Sequence, residues 1–342
     1  MDHEPTNLPA QIANALVSIP KGLTPGVIKA LDRLVGATVD VPVAWLNQKK
    51  AKIDAQTESY KLVEAYIAQS VVSGVEANPE IAQRAMNTLI RKEYRKQSNR
   101  EAVAAAMVED LRKNARETSE KEVSADNLTE LDDDWLNIFE RYAEDASSER
   151  LQGLWGRVLS GEVRQPGRFS TRTLRFLSEF SQADALTFEN FAKKSFGDNA
   201  PAKLVNPAQG EDISHLIHLE ASGLIHGASG LGLQKTVIFN DKGDASIREG
   251  NIIIFLHGEP EQKIEFEAVV LTPLGREVLC LVGSRNVREA ARSVALAIRT
   301  PKIHEAYLNV LTIGENEQRI ETKEVLWVKE IPESQSVDGS AN

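Results

Sequence analysis

The spacing of apolar residues changes along this chain, and the change constrains the fold class more than any other feature. Before about residue 200 apolar residues recur every three or four positions, as do Trp135, Ile138 and Phe139, which is the period of an amphipathic helix. Further along, Ile264 and Phe266 begin an alternation of apolar and charged residues, which is typical of a strand. The sequence therefore predicts an α+β protein, mainly α, with helical N-terminal and central regions.

Breaks in these patterns divide the chain into four expected parts. A polar stretch near residues 114–129 has almost nothing to bury and predicts a linker. We expect an amphipathic N-terminal segment (1–50), a long-helix region with its linker (51–125), a compact helical domain (126–200) and an α+β domain (205–335). In the last part, a helix, "GLI", a hairpin and "LT-x-x-G" predict a winged-helix-like unit, and a terminal hairpin follows.

Short polar residues stand where several helices should begin. Ser147, Ser170, Ser181 and Thr272 each precede a helical pattern, and the side-chain oxygen of such a residue accepts a hydrogen bond from the first turn. The aspartates at 132–134 favour capping over metal binding, because successive helix positions point about 100° apart and cannot converge on one ion.

Composition limits the classes of protein to which the chain can belong. Its 342 residues carry a net charge of −10, which argues against a protein that coats nucleic acid. The single cysteine, Cys280, lies in an apolar run and is predicted to be buried, and one cysteine excludes an internal disulfide framework. We see neither a secretory signal nor an apolar span of about 18 residues. We therefore expect a cytoplasmic protein, with a peripheral position at the inner membrane as a further expectation.

The N-terminal segment has a candidate contact surface. Val27, Leu31 and Leu34 share one face of a predicted helix, and Trp45 stands beside several lysines. This combination suits either docking on the protein or a second copy, or contact with a membrane surface. Asp32 argues against full insertion.

Two basic groups are candidate anion sites. In "GEVRQPGRFSTRT", Arg164, Arg168, Ser170 and Arg172 surround a helix start, where amides, hydroxyls and guanidinium groups could hold a phosphate or carboxylate. The alternative there is a structural turn whose arginines pair with nearby acidic residues.

In "IRKEYRKQSNR", Arg91 and Arg95 share one face of a predicted helix. Both a solvated helix face and phosphate contact fit this pattern.

Signals for metal binding and catalysis are weak. His215 and His218 share a helix face, but zinc needs a third or fourth ligand, so ordinary surface histidines are favoured and no metal is expected. The glycine-rich residues 227–232 precede no helix and predict a hairpin turn. No serine elbow or "HExxH" occurs. We expect no cofactor, and nothing indicates an enzyme.

The central residues carry a family resemblance. "DDWLNIFERYAEDASSERLQGLWGRVLSGEVRQPGRFSTRTLRFLSEFS" resembles the signature of a bacterial family of uncharacterised proteins, known only as a domain of unknown function. In that family an acidic-Trp-Leu start, "LW-GR-L-GE", "PG-FS-RTL" and a downstream "GLI…LT-G-L" recur in this order. The resemblance covers most of the chain from about residue 40. It implies no catalytic residues, and the layout is similar to that of bacterial abortive-infection proteins, which points toward phage or stress defence.

These observations favour a non-enzymatic protein that works by binding or assembly. The first hypothesis is a defence-type effector or sensor whose N-terminus contacts a membrane surface, a partner protein or a second copy. The alternative is a winged-helix-type regulator that binds nucleic acid, with Arg91–Arg100 or Arg164–Arg172 on phosphate.

Overall fold

The chain folds into two units that meet in sequence between Ser178 and Glu179. A computed structural model describes residues 23–35, 79–115, 130–205, 211–229, 233–283, 285–313 and 318–328. Helices form the N-terminal and central regions and antiparallel sheets lie in the C-terminal part, which confirms the α+β, mainly α class.

The first unit is helical in its described residues. Its helices are α1 (Thr24–Val35), α2 (Pro79–Ala115), α3 (Asp133–Ala143), α4 (Glu149–Arg164) and α5 (Thr171–Glu179). The 37 residues of α2 span about 55 Å. The C-terminal part of α2 lies in the core through Val103, Met107 and Leu111, packed chiefly on α4.

A glycine brings α4 into backbone contact with α2. A Cβ at Gly156 would lie 2.5 Å from the Cβ of Ala106 and 2.8 Å from its carbonyl carbon. No side chain larger than hydrogen fits at that distance, so Gly156 sets the spacing of the two helices.

Aromatic rings fill the space between α3 and α4. Trp135 stacks on Phe139 with centroids 5.1 Å apart, and Phe139 meets the edge of the Trp155 ring at 5.6 Å. The indole Nε1 of Trp135 donates a hydrogen bond to the carbonyl of Phe169 at 2.6 Å. The loop after α4 is therefore tied to α3.

The second unit combines short helices with two antiparallel sheets. Its helices are α6 (Gln182–Lys193), α7 (Ala202–Val205), α8 (Glu211–Ala221), α9 (Pro273–Leu279) and α10 (Val287–Ala297). Its strands are β1 (Asn199–Pro201), β2 (Ile225–His226), β3 (Leu233–Ile238), β4 (Asp244–Glu249), β5 (Ile252–Gly258), β6 (Lys263–Leu271), β7 (Ile303–Ile313) and β8 (Gln318–Val328).

The first sheet of this unit is built around the long strand β6. Along the chain, α6, β1, α7, α8, β2 with β3, and β6 follow one another, and β6 pairs with β1 on one edge and with β2 and β3 on the other. The connection from β3 to β6 is itself a hairpin, because β4 and β5 pair with each other and continue into a second sheet of order β4-β5-β7-β8. The chain between β3 and β6 of the first sheet thus supplies two strands, β4 and β5, to the second sheet.

Most expected helix starts and strands are confirmed. Ser170, Ser181 and Thr272 each accept a hydrogen bond from the first turn of their helix, and the terminal hairpin is the antiparallel pair of β7 and β8. The cap of α4 is Ser148, one residue later than expected, since its hydroxyl oxygen accepts the amide of Leu151 at 3.3 Å. The short β1, α7 and β4 carry too little periodicity to have been expected.

The prediction that Cys280 is buried is wrong. Cys280 is the C-cap of α9 and is exposed. The buried residues of the apolar run around it are Leu274, Val278 and Leu281. The thiol lies on the side of the helix end that these residues leave to solvent.

No helix in the described residues combines the length and the apolar content that crossing a membrane requires.

The contact at Gly156 gives a test of the helix packing. We expect Gly156→Ala to lower the free energy of unfolding by about 1–3 kcal/mol, because the added methyl group forces α2 and α4 apart. Gly153→Ala is the matched control: nothing lies within 4 Å of its Cβ position, so it should be neutral or stabilising by up to about 1 kcal/mol. Urea unfolding of both variants measures the difference, and equal stabilities would contradict the packing.

Candidate functional site

The loop between α4 and α5 holds a carboxylate of its own chain. Glu162 is only 2% exposed. Its Oε1 accepts the amide of Gly167 at 2.5 Å and its Oε2 accepts the amide of Phe169 at 2.9 Å. Gly167 has a φ of +82°, a conformation that glycine adopts without strain. The loop amides of Gly167 and Phe169 therefore already bind Glu162 and are not free for an external anion.

The polar residues predicted to surround this loop have separate partners. Arg164 pairs with Asp110, with Nη2 and Oδ2 3.0 Å apart. The guanidinium of Arg168 lies 5.8 Å from the centroid of the Phe169 ring, Ser170 caps α5, and Arg172 is exposed. Anion binding by these side chains stays a prediction.

A second carboxylate fills the glycine-rich turn after β2 in the same way. Glu220 accepts hydrogen bonds from the amides of Gly227, Ala228 and Ser229 at 2.6, 3.2 and 2.8 Å. Hydrogen bonding from Ser229 and from these amides lowers the pKa of Glu220 below its usual 4.5 despite some burial. The turn thus binds an internal anion.

The two histidines predicted as weak metal candidates lie on the exposed side of α8. Nε2 of His218 lies 2.6 Å from Oδ1 of Asp184 in α6, and His215 is exposed. Hydrogen bonds, first from Ser181 and then from His218, lower the pKa of Asp184. Within the described ranges, no three histidine, cysteine or acidic residues are placed to hold a metal ion.

The apolar face of α1 is buried inside the first unit. Val27, Leu31 and Leu34 are all buried, and α1 contacts α2, α3 and α4. Membrane or partner contact through these three residues would require α1 to leave this position. Trp45, the fourth residue predicted for such contact, lies outside the described residues.

The predicted basic helix face divides into a paired and an exposed part. Lys96 pairs with Glu144 at 2.5 Å and Arg100 with Glu140 at 2.9 Å, so both cations are tied to α3. Arg91 and Arg95 are exposed. Phosphate contact by this face stays a prediction, and Arg91 and Arg95 are the cations that could make it.

The same part of α2 exposes a set of large apolar side chains that were not singled out from the sequence. We call residues 79–95, the first 25 Å or so of α2, the arm. Ile81, Leu89, Ile90 and Tyr94 are 56%, 60%, 58% and 78% exposed. Their spacing was visible in the sequence, but the same spacing also describes a buried helix face, and only packing distinguishes the two.

Apolar residues and arginines lie on different sides of the arm. At about 100° per residue, Leu89, Ile90 and Tyr94 fall within one arc of about 140°, and Ile81 lies about 80° beyond Leu89 and two turns earlier. Arg84, Arg91 and Arg95 form a stripe outside that arc, and all three are exposed. The arm is therefore a solvent-facing amphipathic helix, and its apolar arc is the candidate functional surface.

The two amide hydrogen bonds to Glu162 predict that a neutral replacement lowers the stability of the protein. We expect Glu162→Gln to lower the free energy of unfolding by about 1–3 kcal/mol, because glutamine keeps one acceptor but turns an amide donor toward a backbone amide. Glu149→Gln, at an exposed position of the same helix, is the control and should change the free energy of unfolding by about 0.5 kcal/mol at most. Chemical unfolding monitored by tryptophan fluorescence gives both values.

The amide hydrogen bonds to Glu220 predict that its contribution to stability depends on pH. Because the pKa is lowered in the folded state, the carboxylate stabilises the folded protein fully above its unfolded-state pKa near 4.5, and this contribution is lost as the pH falls through the lower folded-state pKa. We expect the difference in Tm between the wild type and Glu220→Gln to shrink from about pH 6 to about pH 3. Glu259→Gln, an exposed carboxylate of the same unit, should show no such trend, and a constant difference for Glu220→Gln would contradict this role.

Comparison with known proteins places the chain in a family. The model of a family described as a protein of unknown function (DUF2806) matches residues 83–294, which is more than half of the chain and includes most of α2, the turns that bind Glu162 and Glu220, and strands β1 to β6. No curated protein and no solved structure matches the chain. The protein therefore belongs to the DUF2806 family.

Proposed function

We propose that this protein works by binding and assembly, and that its arm joins two copies of the chain. The observation that carries the proposal is the exposure of Leu89, Ile90 and Tyr94 on one side of a helix whose other end is held in the core. An exposed contiguous apolar surface on a folded protein marks an interaction site.

The charges on the arm favour a second copy over a lipid surface. Glu93 follows Leu89 by four residues and Ile90 by three, so it lies on the apolar arc, and it is exposed. A carboxylate on this side opposes entry into an anionic membrane. Against an antiparallel copy it can meet Lys92 of the other arm, and the stripe of Arg84, Arg91 and Arg95 faces away from the contact.

The winged-helix-like unit supports protein binding more than nucleic-acid binding. In winged-helix and helix-turn-helix regulators the helix equivalent to α8 enters the DNA groove and contacts bases and phosphates with polar and basic side chains. The sequence of α8, EDISHLIHLEA, contains neither lysine nor arginine, and its exposed residues include Ile213 and Ile217. Nucleic-acid regulation remains the second candidate, resting on the arrangement of α6, α8 and the wing.

The physiological role that we infer is defence. The support is the similarity of layout to bacterial abortive-infection proteins, in which a helical part precedes a C-terminal domain. In this proposal the protein is a cytoplasmic effector or sensor that acts by assembly, with a peripheral position at the inner membrane as the alternative location.

The assembly proposal is tested by charge reversal of the apolar arc. We expect the wild-type chain to sediment as a dimer or larger assembly and Leu89→Glu with Ile90→Glu to shift it to monomer by at least about tenfold in Kd, because each new carboxylate must be desolvated in the contact. Both residues are exposed, so the thermal unfolding curve should stay close to that of the wild type.

Leu296→Glu is the matched control, since Leu296 is 55% exposed on α10 and should leave sedimentation unchanged. A monomeric wild type at about 0.1 mM would overturn the proposal. Flotation of the wild type with phosphatidylserine vesicles, or its salt-sensitive retention of duplex DNA, with no self-association, would move the function to lipid or nucleic acid.

A further inference from the structure

The second unit contains a cleft that the assembly proposal does not use. It lies between the first sheet and β4 and has a volume of about 540 Å³, within the usual range for small-molecule sites. Val237, Ile247 and Phe266 line it with half-buried apolar surface. The cleft therefore offers a flat apolar ring, Phe266, beside polar groups.

One polar group lining the cleft is buried and lacks a partner. Asn199 is 2% exposed. Its Nδ2 donates to Oδ1 of Asp198 at 3.0 Å, which fixes the orientation of the amide, because the reversed orientation would bring two oxygens together. Within the part of the chain that the structure describes, Oδ1 of Asn199 has no hydrogen-bond donor. A buried acceptor of this kind requires one. Oδ1 exposes less than 1 Å², so a ligand in the cleft supplies the donor once the Asn199 side chain turns toward it.

The charges around the cleft leave an excess of cations. Asp198 is paired with Lys235 at 2.9 Å, and Glu249 is paired with Arg285. Arg276, on α9, lines the cleft and is exposed, and it has no ion-pair partner among the described residues. Arg248 also lines the cleft and uses Nε to donate to the carbonyl of Gly250 at 2.8 Å. An anionic group is therefore favoured in the cleft.

We propose that this cleft binds a nucleoside monophosphate. This class of ligand combines the three features that the cleft lacks: an exocyclic amino group to donate to Oδ1 of Asn199, a flat base to lie against Phe266, and a phosphate for Arg276. A guanidinium binds phosphate through paired N–H donors. The residues of this site are separate from those of the arm, so the site stands or falls independently of assembly.

The experiment is isothermal titration of the full-length protein with AMP, adenosine, inorganic phosphate and purine riboside 5′-monophosphate. We expect AMP to bind with a Kd at or below about 1 mM. Adenosine and inorganic phosphate should each bind more weakly, because each lacks one of the two anchors. Purine riboside 5′-monophosphate lacks only the amino group, and its affinity should fall about fivefold or more because Asn199 is left without a donor.

Arg276→Gln should weaken AMP binding about tenfold to a hundredfold and leave adenosine binding unchanged. Lys302→Gln removes the same charge at an exposed position that does not line the cleft, and it should bind AMP as the wild type does. Three results would overturn the proposal: no binding of AMP at about 5 mM, equal affinity for AMP and inorganic phosphate, or an Arg276→Gln variant that binds AMP normally. The thermal unfolding curve of the Arg276→Gln variant shows whether its fold is intact, and the amino-group comparison on the wild type needs no variant.

Discussion

The contact between α2 and α4 at Gly156 is the constraint on which the first unit depends. It holds the C-terminal part of a helix about 55 Å long against α4, close enough that a Cβ would overlap Ala106. Ion pairs of Lys96 and Arg100 with α3 continue this attachment by one or two more turns. Beyond them the arm has neither buried apolar side chains nor paired arginines among its described residues. The position of the contact at Gly156 therefore decides which part of α2 lies in the core and which part is exposed.

Two loops that the sequence marks as candidate anion sites or turns bind a carboxylate of their own chain. Glu162 and Glu220 each accept backbone amides from the turn that follows their helix. A carboxylate held by its own chain has lost little entropy on binding and is always present, so it competes well with a dissolved anion. Polar groups that lack such a partner, above all Oδ1 of Asn199, are better indicators of a ligand than glycine-rich sequence is.

The expectations that the structure confirms rest on local chemistry. Ser181 and Thr272 cap helices because a hydroxyl next to a free amide needs no distant partner, and Ile264 with Phe266 lies on a strand because alternation is a property of the segment itself. The expectations that were wrong depended on neighbours. Cys280 lies in an apolar run, yet Val278 and Leu281 take the buried positions, and no local pattern determines which side of a short helix faces the core.

By itself, the sequence determined the class of the fold and most of the expected helix starts, because periodicity and capping act within a few residues. Tertiary structure alone decided the rest. It buried the apolar face of α1 and left the large apolar side chains of the arm exposed, and it brought Asn199, Phe266 and Arg276 to one cleft from distant positions. Burial and convergence are properties of packing between segments, and a single segment carries no record of them.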